Sequence, residues 1–241
     1  MINKADDEWE LYVGMLFAKI IKDYNLTNCN TILEIAPGFR YKIAYALKEI
    51  NFCGKLYILD SSKEVCKYVN KTYKQILPNA QIIILNEDFN NIINKLPPID
   101  LLLGNHIIDD LIIYNYLNVD YKINEDIQNN LFLAWEKLYN YNDKEKIISN
   151  IQTVFNKIFK KINFCILSQY KSNVYLKNNE YENLITSNCF YKIKNMINYN
   201  DNRLEKSLSY HPFENDERYL LPDLLSNVQN PKNWIVGLPK S

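Results

Sequence analysis

The stretch Ile32-Leu-Glu-Ile-Ala-Pro-Gly-Phe-Arg40 decides the fold. With Thr31 it begins as a short apolar run and breaks at Pro37-Gly38, which reads as a strand running into a turn. Behind the turn the period changes. Ile43, Ala44, Leu47 and Ile50 fall at helical spacing across residues 41–50. The same alternation repeats outward. Residues 55–59 are a second strand ending at Asp60, and Ser61 or Ser62 caps a helix that stops at Pro78. Residues 81–85 are a third strand, followed by a short helix that stops at Pro97-Pro98, and residues 100–103 are a fourth. Near-continuous apolar strands joined by helices belong to a parallel sheet covered on both faces. Right-handed crossovers then bring the strand-to-helix turns to one edge of that sheet.

The flanks extend this core. Residues 6–24 read as an amphipathic helix through Trp9, Val13, Leu16, Phe17, Ile20 and Ile21. After the fourth strand come a helix at 106–116, a loop at 121–126 and a helix at 127–139. A long amphipathic helix follows at 143–161, using Ile147, Ile148, Ile151, Val154, Phe155, Ile158 and Phe159. A fifth strand is expected at 163–169, a helix at 181–189 and a sixth strand at 190–199. A helix at 220–228 and a closing strand at 234–238 complete the chain. The expectation is one domain over 1–241, with an N-terminal helix within 1–29 and a helical cap inserted at 106–142. Its class is α/β, a doubly wound, mostly parallel seven-stranded sheet with helices on both faces.

Composition narrows the function classes. The 241 residues are 47% hydrophobic and 23% charged, close to the globular average and far from a disordered chain. Twenty-eight basic residues balance 28 acidic ones, which argues against a protein that coats polyanions. Five scattered cysteines form no CxxC pair, so a zinc knuckle or redox pair is not expected. No apolar run approaches the ~20 residues that span a bilayer, and residues 1–10 carry no apolar signal core. The expected setting is reducing cytoplasm, with free thiols and no membrane.

The strand ends carry the chemistry. Glu34, Asp60, Asp88 and Asn105 close four successive strands along one rim. The first turn is neither G-x-G-x-x-G nor a P-loop, because no Gly-Lys-Ser/Thr follows it. An acid at that turn disfavours a phosphate and favours an amino-bearing ligand. Asp60, at the end of the second strand, is placed to accept hydrogen bonds from both hydroxyls of a ribose. Asp88 and Phe89 offer an acceptor and an apolar wall to a purine. The implied ligand has a ribose, a base and a cationic amino-acid part, without phosphates. Each residue also has a plainer reading. Glu34, Asp60 and Asp88 suit helix starts, and Asn105 suits a turn.

At this point the chain resembles the class I S-adenosylmethionine-dependent methyltransferases, whose fold is Rossmann-like. Glu34-Ile-Ala-Pro-Gly38 is similar to the family's first motif, often E-I-G-P-G-x-G. Leu56-Tyr-Ile-Leu-Asp60 resembles the second, Asn86-Glu-Asp-Phe89 the third and Ile99-Asp-Leu-Leu-Leu-Gly-Asn-His106 the fourth. The resemblance covers roughly residues 31–111. It implies S-adenosyl-L-methionine as cofactor, bound by Glu34, Ala36, Gly38, Asp60, Ser61, Asp88, Phe89 and Asn105. Two positions depart from the pattern. Ala36 stands where the family usually has Gly, and Arg40 stands where the last Gly is common. Arg40 either crowds the pocket or points away at the helix start.

His106 follows the fourth strand, where the acceptor enters in that family. As a neutral imidazole it would take a proton from a hydroxyl or amine during transfer, with Asp109 orienting it. The alternative is a helix-start histidine bonded locally. Asp110 lies on the same helical stretch, but these acids also suit a first turn, and no metal is assigned. His106 and Asp109 are therefore the candidate catalytic pair. Methyl transfer from a sulfonium is an in-line displacement that chiefly needs positioning and exclusion of water. The expected function is methylation of a small-molecule or protein acceptor, with Tyr114, Tyr116, Tyr121 and Trp135 as candidate pocket walls. Two other readings are a methyltransferase-like binding or partner subunit without catalysis, and an RNA methyltransferase using the lysines of 146–177. The second is demoted because the fourth motif lacks the Pro-Pro-aromatic run and no Pro-Cys dipeptide occurs.

Overall fold

The structure is a computed structural model that describes residues 4–87, 89–117, 144–170, 179–199, 201–210 and 226–240. The elements run α1 (Lys4–Asp23), β1 (Thr31–Ile35), α2 (Lys42–Glu49), β2 (Lys55–Leu59), α3 (Lys63–Ile76), β3 (Gln81–Leu85), α4 (Phe89–Ile92) and β4 (Ile99–Asn105). They continue α5 (Ile108–Leu117), α6 (Lys144–Phe159), β5 (Ile162–Ser168), α7 (Asn179–Lys194), β6 (Ile197–Tyr199), α8 (Asp201–Leu208) and β7 (Trp234–Pro239). One seven-stranded sheet has the order β3-β2-β1-β4-β5-β7-β6. Strands β1 to β5 are parallel, and β7 pairs antiparallel with both β5 and β6. The order reverses between β1 and β4, which puts a crevice at their carboxyl ends.

Strand alternation divides the core in two. Leu33, Ile35, Leu102, Cys165 and Leu167 face α5, α6 and α7. Ile32, Leu56, Ile58, Leu101 and Leu103 face α1, α2, α3 and α8. The expected apolar face of α1 is the buried one: Val13, Leu16, Phe17, Ile20 and Ile21 are fully covered. Full burial of such side chains contributes about 1.5–3 kcal/mol each. α6 likewise buries all seven apolar residues anticipated from its spacing. Helix α1 ends within one residue of the expected position. Asn25 takes a left-handed φ of 59°, and the Leu26 N–H closes back on the Ile21 carbonyl.

Gly14 explains how α1 meets α2. A Cβ there would stand 2.6 Å from the Lys42 carbonyl oxygen and 2.9 Å from the Tyr45 Cβ. Only glycine permits this crossing. Gly14→Val is expected to push the helices apart and lower stability by roughly 3 kcal/mol. The loss would register as a drop in denaturant midpoint. An unchanged midpoint would mean the helices do not approach this closely.

The carboxyl-terminal third differs from expectation. Residues 190–194 are helical, so α7 runs to Lys194 and the sixth strand shrinks to Ile197–Tyr199. Ile185, Cys189 and Ile193 are all buried at four-residue spacing, a helical period that overrides the strand-like composition of the segment. α8 was not anticipated. β7 is the expected closing strand, anchored by Trp234, whose indole N–H donates to the Val228 carbonyl at 2.7 Å. Within 106–142, where a helical cap was expected, α5 forms at Ile108–Leu117. The loop at 121–126, the helix at 127–139, Tyr121 and Trp135 lie outside the described residues, as do Asp88, His211 and most of 220–228. No helix among the described residues is long and apolar enough to cross a membrane.

Candidate functional site

The crevice is built first from the β1–α2 turn. Ala36 adopts φ +48° and Gly38 φ +58°. A left-handed alanine is strained by about 1 kcal/mol, a cost that glycine would not bear. The Ala36 N–H donates to the Leu59 carbonyl at 2.9 Å, holding the turn against β2. A Cβ at Gly38 would meet nothing within 4 Å, so the turn leaves open space on that side.

Glu34 lies beneath the rim. It is 3% exposed, on the face covered by α3, and accepts a hydrogen bond from the Tyr73 hydroxyl at 2.9 Å. Its Oε2 has no hydrogen-bond partner among the described residues. Burial pushes the carboxyl up to about 8, against the bond from Tyr73. At neutral pH it is therefore chiefly protonated. The negative charge anticipated for this turn is therefore largely suppressed at Glu34.

Asp60 sits just past β2. Its Oδ1 accepts the Ser62 N–H at 2.8 Å, and burial raises its carboxyl while the N–H groups of Ser62 and Gly38 offset part of that rise. The first-motif turn at Gly38 thus lies beside the Asp60 carboxylate. Of the two candidate caps, Ser62 begins α3, accepting the Val65 N–H at 3.3 Å. Ser61 is exposed beside it, and its carbonyl accepts from Asn86 at 3.0 Å. Asn86 also donates to the Asp60 carbonyl at 3.2 Å, so the third-motif loop holds the second. Phe89 begins α4.

Across the crevice, the β4–α5 junction presents His106. It holds φ +57°, uncommon for a residue with a side chain, and its N–H donates to the Ser168 carbonyl at 2.7 Å. Its Nδ1 lies 2.9 Å from Asp109 Oδ2, and the imidazole is about one-fifth exposed, at 21%. Burial would depress the imidazolium, but the Asp109 carboxylate outweighs it and lifts the group to about 9. Asp109 accepts in turn from Gln169 Nε2 at 3.3 Å, and Gln169 Oε1 accepts the Ile108 N–H at 2.9 Å. Asn105 Oδ1 accepts from the Ser168 hydroxyl at 3.0 Å. The structure thus brings Asn105, His106 and Asp109 together. Among the described residues no three His, Cys, Asp or Glu side chains are grouped to hold a metal.

Arg40 points away from the turn. Its side chain is 56% exposed and lies 3.5 Å from Glu10 of α1. Glu10 is buried, accepts the Tyr41 N–H at 2.9 Å and faces Lys42 at 3.9 Å. Lys42 in turn donates to the Tyr170 hydroxyl at 3.2 Å. Glu10, Lys42, Gln169 and Tyr170 were absent from the sequence reading. Lys42 looks like an ordinary surface lysine, and nothing in one sequence pairs it with a tyrosine 128 residues away. The one available signal is positional, since Gln169 and Tyr170 follow a strand end on the ligand side.

No protein-family pattern matches the chain. No curated protein matches it either. Solved structures do. The plantazolicin methyltransferase BpumL in complex with SAH matches at 15% identity and TM-score 0.44, covering 88% of this chain and 68% of that one. StiE O-MT, residues 961–1257, matches at 12% identity and TM-score 0.39, covering 92% and 70%. The bifunctional kinase-methyltransferase WbdD matches at 10% identity and TM-score 0.42 over 75% of this chain, which spans only 31% of WbdD. Similarity at this level leaves the fold to rest on the sheet itself. With five parallel strands, the order β3-β2-β1-β4-β5-β7-β6 and an antiparallel β7 between β5 and β6, the chain has the Rossmann-like fold of the class I S-adenosylmethionine-dependent methyltransferases.

Proposed function

We propose that the chain is an S-adenosyl-L-methionine-dependent methyltransferase that acts on a small-molecule or protein acceptor by in-line displacement. The observation that carries this reading is a juxtaposition at the switch point of the sheet. The open turn at Gly38, beside Asp60, stands on the β1 and β2 side, and the His106–Asp109 pair stands on the β4 side. The donor set fits the cofactor. Asp60 is a carboxylate at the strand end suited to ribose hydroxyls, and the space beside Gly38 lets a ligand approach the backbone. When bound, the cofactor supplies a sulfonium methyl group.

The chain's own residues would do the following. Asp60 accepts from the ribose, with Ser61, Asn86 and the start of α4 at Phe89 forming the adjoining loop walls. Asp88 adjoins the same loop in sequence. Ala36 and Gly38 leave the backbone approachable, and Glu34 stays buried beneath them. Asn105 adjoins the transfer point, and His106, oriented through Nδ1 by Asp109, receives the acceptor's proton at its other nitrogen.

A second reading is a binding or partner subunit without catalysis. Ala36 in a strained left-handed conformation and the burial of Glu34 under Tyr73 favour it. Methyl-labelled S-adenosylmethionine offered with small-molecule and peptide acceptor pools separates the two. The enzyme reading expects label in an acceptor and matching release of S-adenosylhomocysteine. Bound but intact cofactor with every acceptor pool would favour the partner subunit.

A further inference from the structure

A buried polar cluster lies behind His106. Tyr170, two residues beyond β5 and 8% exposed, lays its ring 4.8 Å from the His106 imidazole, centroid to centroid. Its other neighbours include Trp9 of α1, edge-on at 6.1 Å, the Asn105 side chain, and the Lys42 ammonium, 3.2 Å from its hydroxyl. Lys42 is itself buried, and the acid within 4 Å of its ammonium among the described residues is Glu10, at 3.9 Å. Burying a lysine is costly unless its charge is used. Tyr170 also packs within the apolar core beneath α1 and α2, but that packing alone would not bring an ammonium to its hydroxyl.

We propose that Tyr170 is a positioning residue for His106, and that the Lys42 ammonium acts on the imidazole through the Tyr170 hydroxyl. His106 stands in a left-handed backbone conformation that its surroundings must hold. The strand-end segment Ser168-Gln169-Tyr170 does this at three points. The Ser168 carbonyl takes the His106 N–H, Gln169 binds the Asp109 carboxylate, and the Tyr170 ring lies against the imidazole. The charged groups facing His106 are Asp109 from α5, Tyr170 from beyond β5 and Lys42 from α2, with Glu10 of α1 behind Lys42. Burial would raise the Tyr170 hydroxyl, but Lys42 and His106 outweigh it and pull the group below its ordinary value. Tyr170 and His106 thus act on each other's protons: the tyrosine raises the imidazole and the imidazole lowers the tyrosine. The significance of the pair rests on the methyltransferase reading, since only there does His106 receive a proton from an acceptor.

Proton NMR of the full chain tests the proposal without turnover. The chain has 2 histidines, so His106→Asn assigns the resonance and His211 serves as internal reference. In the parent, the His106 resonance is expected to shift in two steps, its own and that of Tyr170. Tyr170→Phe keeps the ring and removes the hydroxyl, so one step should remain, at a pH lower by roughly half a unit or more. Lys42→Met should move the Tyr170 step to higher pH. A single-site parent curve that superimposes on that of Tyr170→Phe would overturn the proposal. So would a Lys42→Met curve with the second step in place, and the parent curve alone suffices if a variant does not fold. Failure of the methyltransferase reading would appear separately, as absence of cofactor binding with these titrations intact.

Discussion

Asp60→Ala is expected to weaken binding of S-adenosylhomocysteine about 100-fold, read by calorimetric titration. Two charge-assisted hydrogen bonds from ribose hydroxyls, lost together, correspond to about 3 kcal/mol of binding energy, and about 1.4 kcal/mol is a factor of ten. The same substitution frees the Ser62 N–H ahead of α3, so stability should fall by about 1 kcal/mol, too little to unfold a domain with this core. Asp60→Asn keeps the shape and an acceptor oxygen while losing the charge, and its affinity should fall between parent and alanine. A folded Asp60→Ala chain that binds within twofold of the parent would take the ribose site away from the end of β2.

His106→Asn is expected to lower turnover by roughly 10²–10⁴-fold while leaving cofactor affinity within twofold. The pH profile gives the sharper reading. Proton acceptance needs the neutral imidazole, and Asp109 holds the imidazolium up to about 9. The neutral fraction therefore grows about tenfold per pH unit from neutrality toward 9 and levels off above it. Activity on a hydroxyl or amine acceptor should climb with that limb. Asp109→Asn, which removes the raising charge, should shift the limb to lower pH. A flat profile together with full activity in His106→Asn would make the residue a helix-start histidine bonded to Asp109 and nothing more.

Much of this was legible in the sequence, for identifiable reasons. The strands β1 to β4 are apolar runs bounded by Pro, Gly and Asp, and α1 and α6 carry apolar faces that no other period fits, so the parallel core could be read directly. Segment 190–199 misled because its tyrosines, isoleucines and phenylalanine suit a strand. The four-residue spacing of Ile185, Cys189 and Ile193 prevails because it faces α5 and α6. In the candidate site, positions at strand ends were foreseeable: Asp60 follows β2, Asn105 ends β4 and His106 follows it. Side-chain directions were not. The identity of Glu34 says nothing of Tyr73 above it, and Arg40 turns to Glu10 because α1 crosses there, a contact permitted by the missing side chain at Gly14. Lys42 and Tyr170 meet only through tertiary packing, which no local pattern encodes.

The central claim is that this fold holds S-adenosylmethionine at the carboxyl ends of β1, β2 and β4. Calorimetric titration of the purified chain with S-adenosylmethionine and S-adenosylhomocysteine, with ATP and NAD as controls, tests it most directly. Selective micromolar binding of the two sulfur nucleosides, with neither control bound, is the predicted result. Heat-silent titrations with both, in protein verified as folded and free of co-purified ligand, would contradict it.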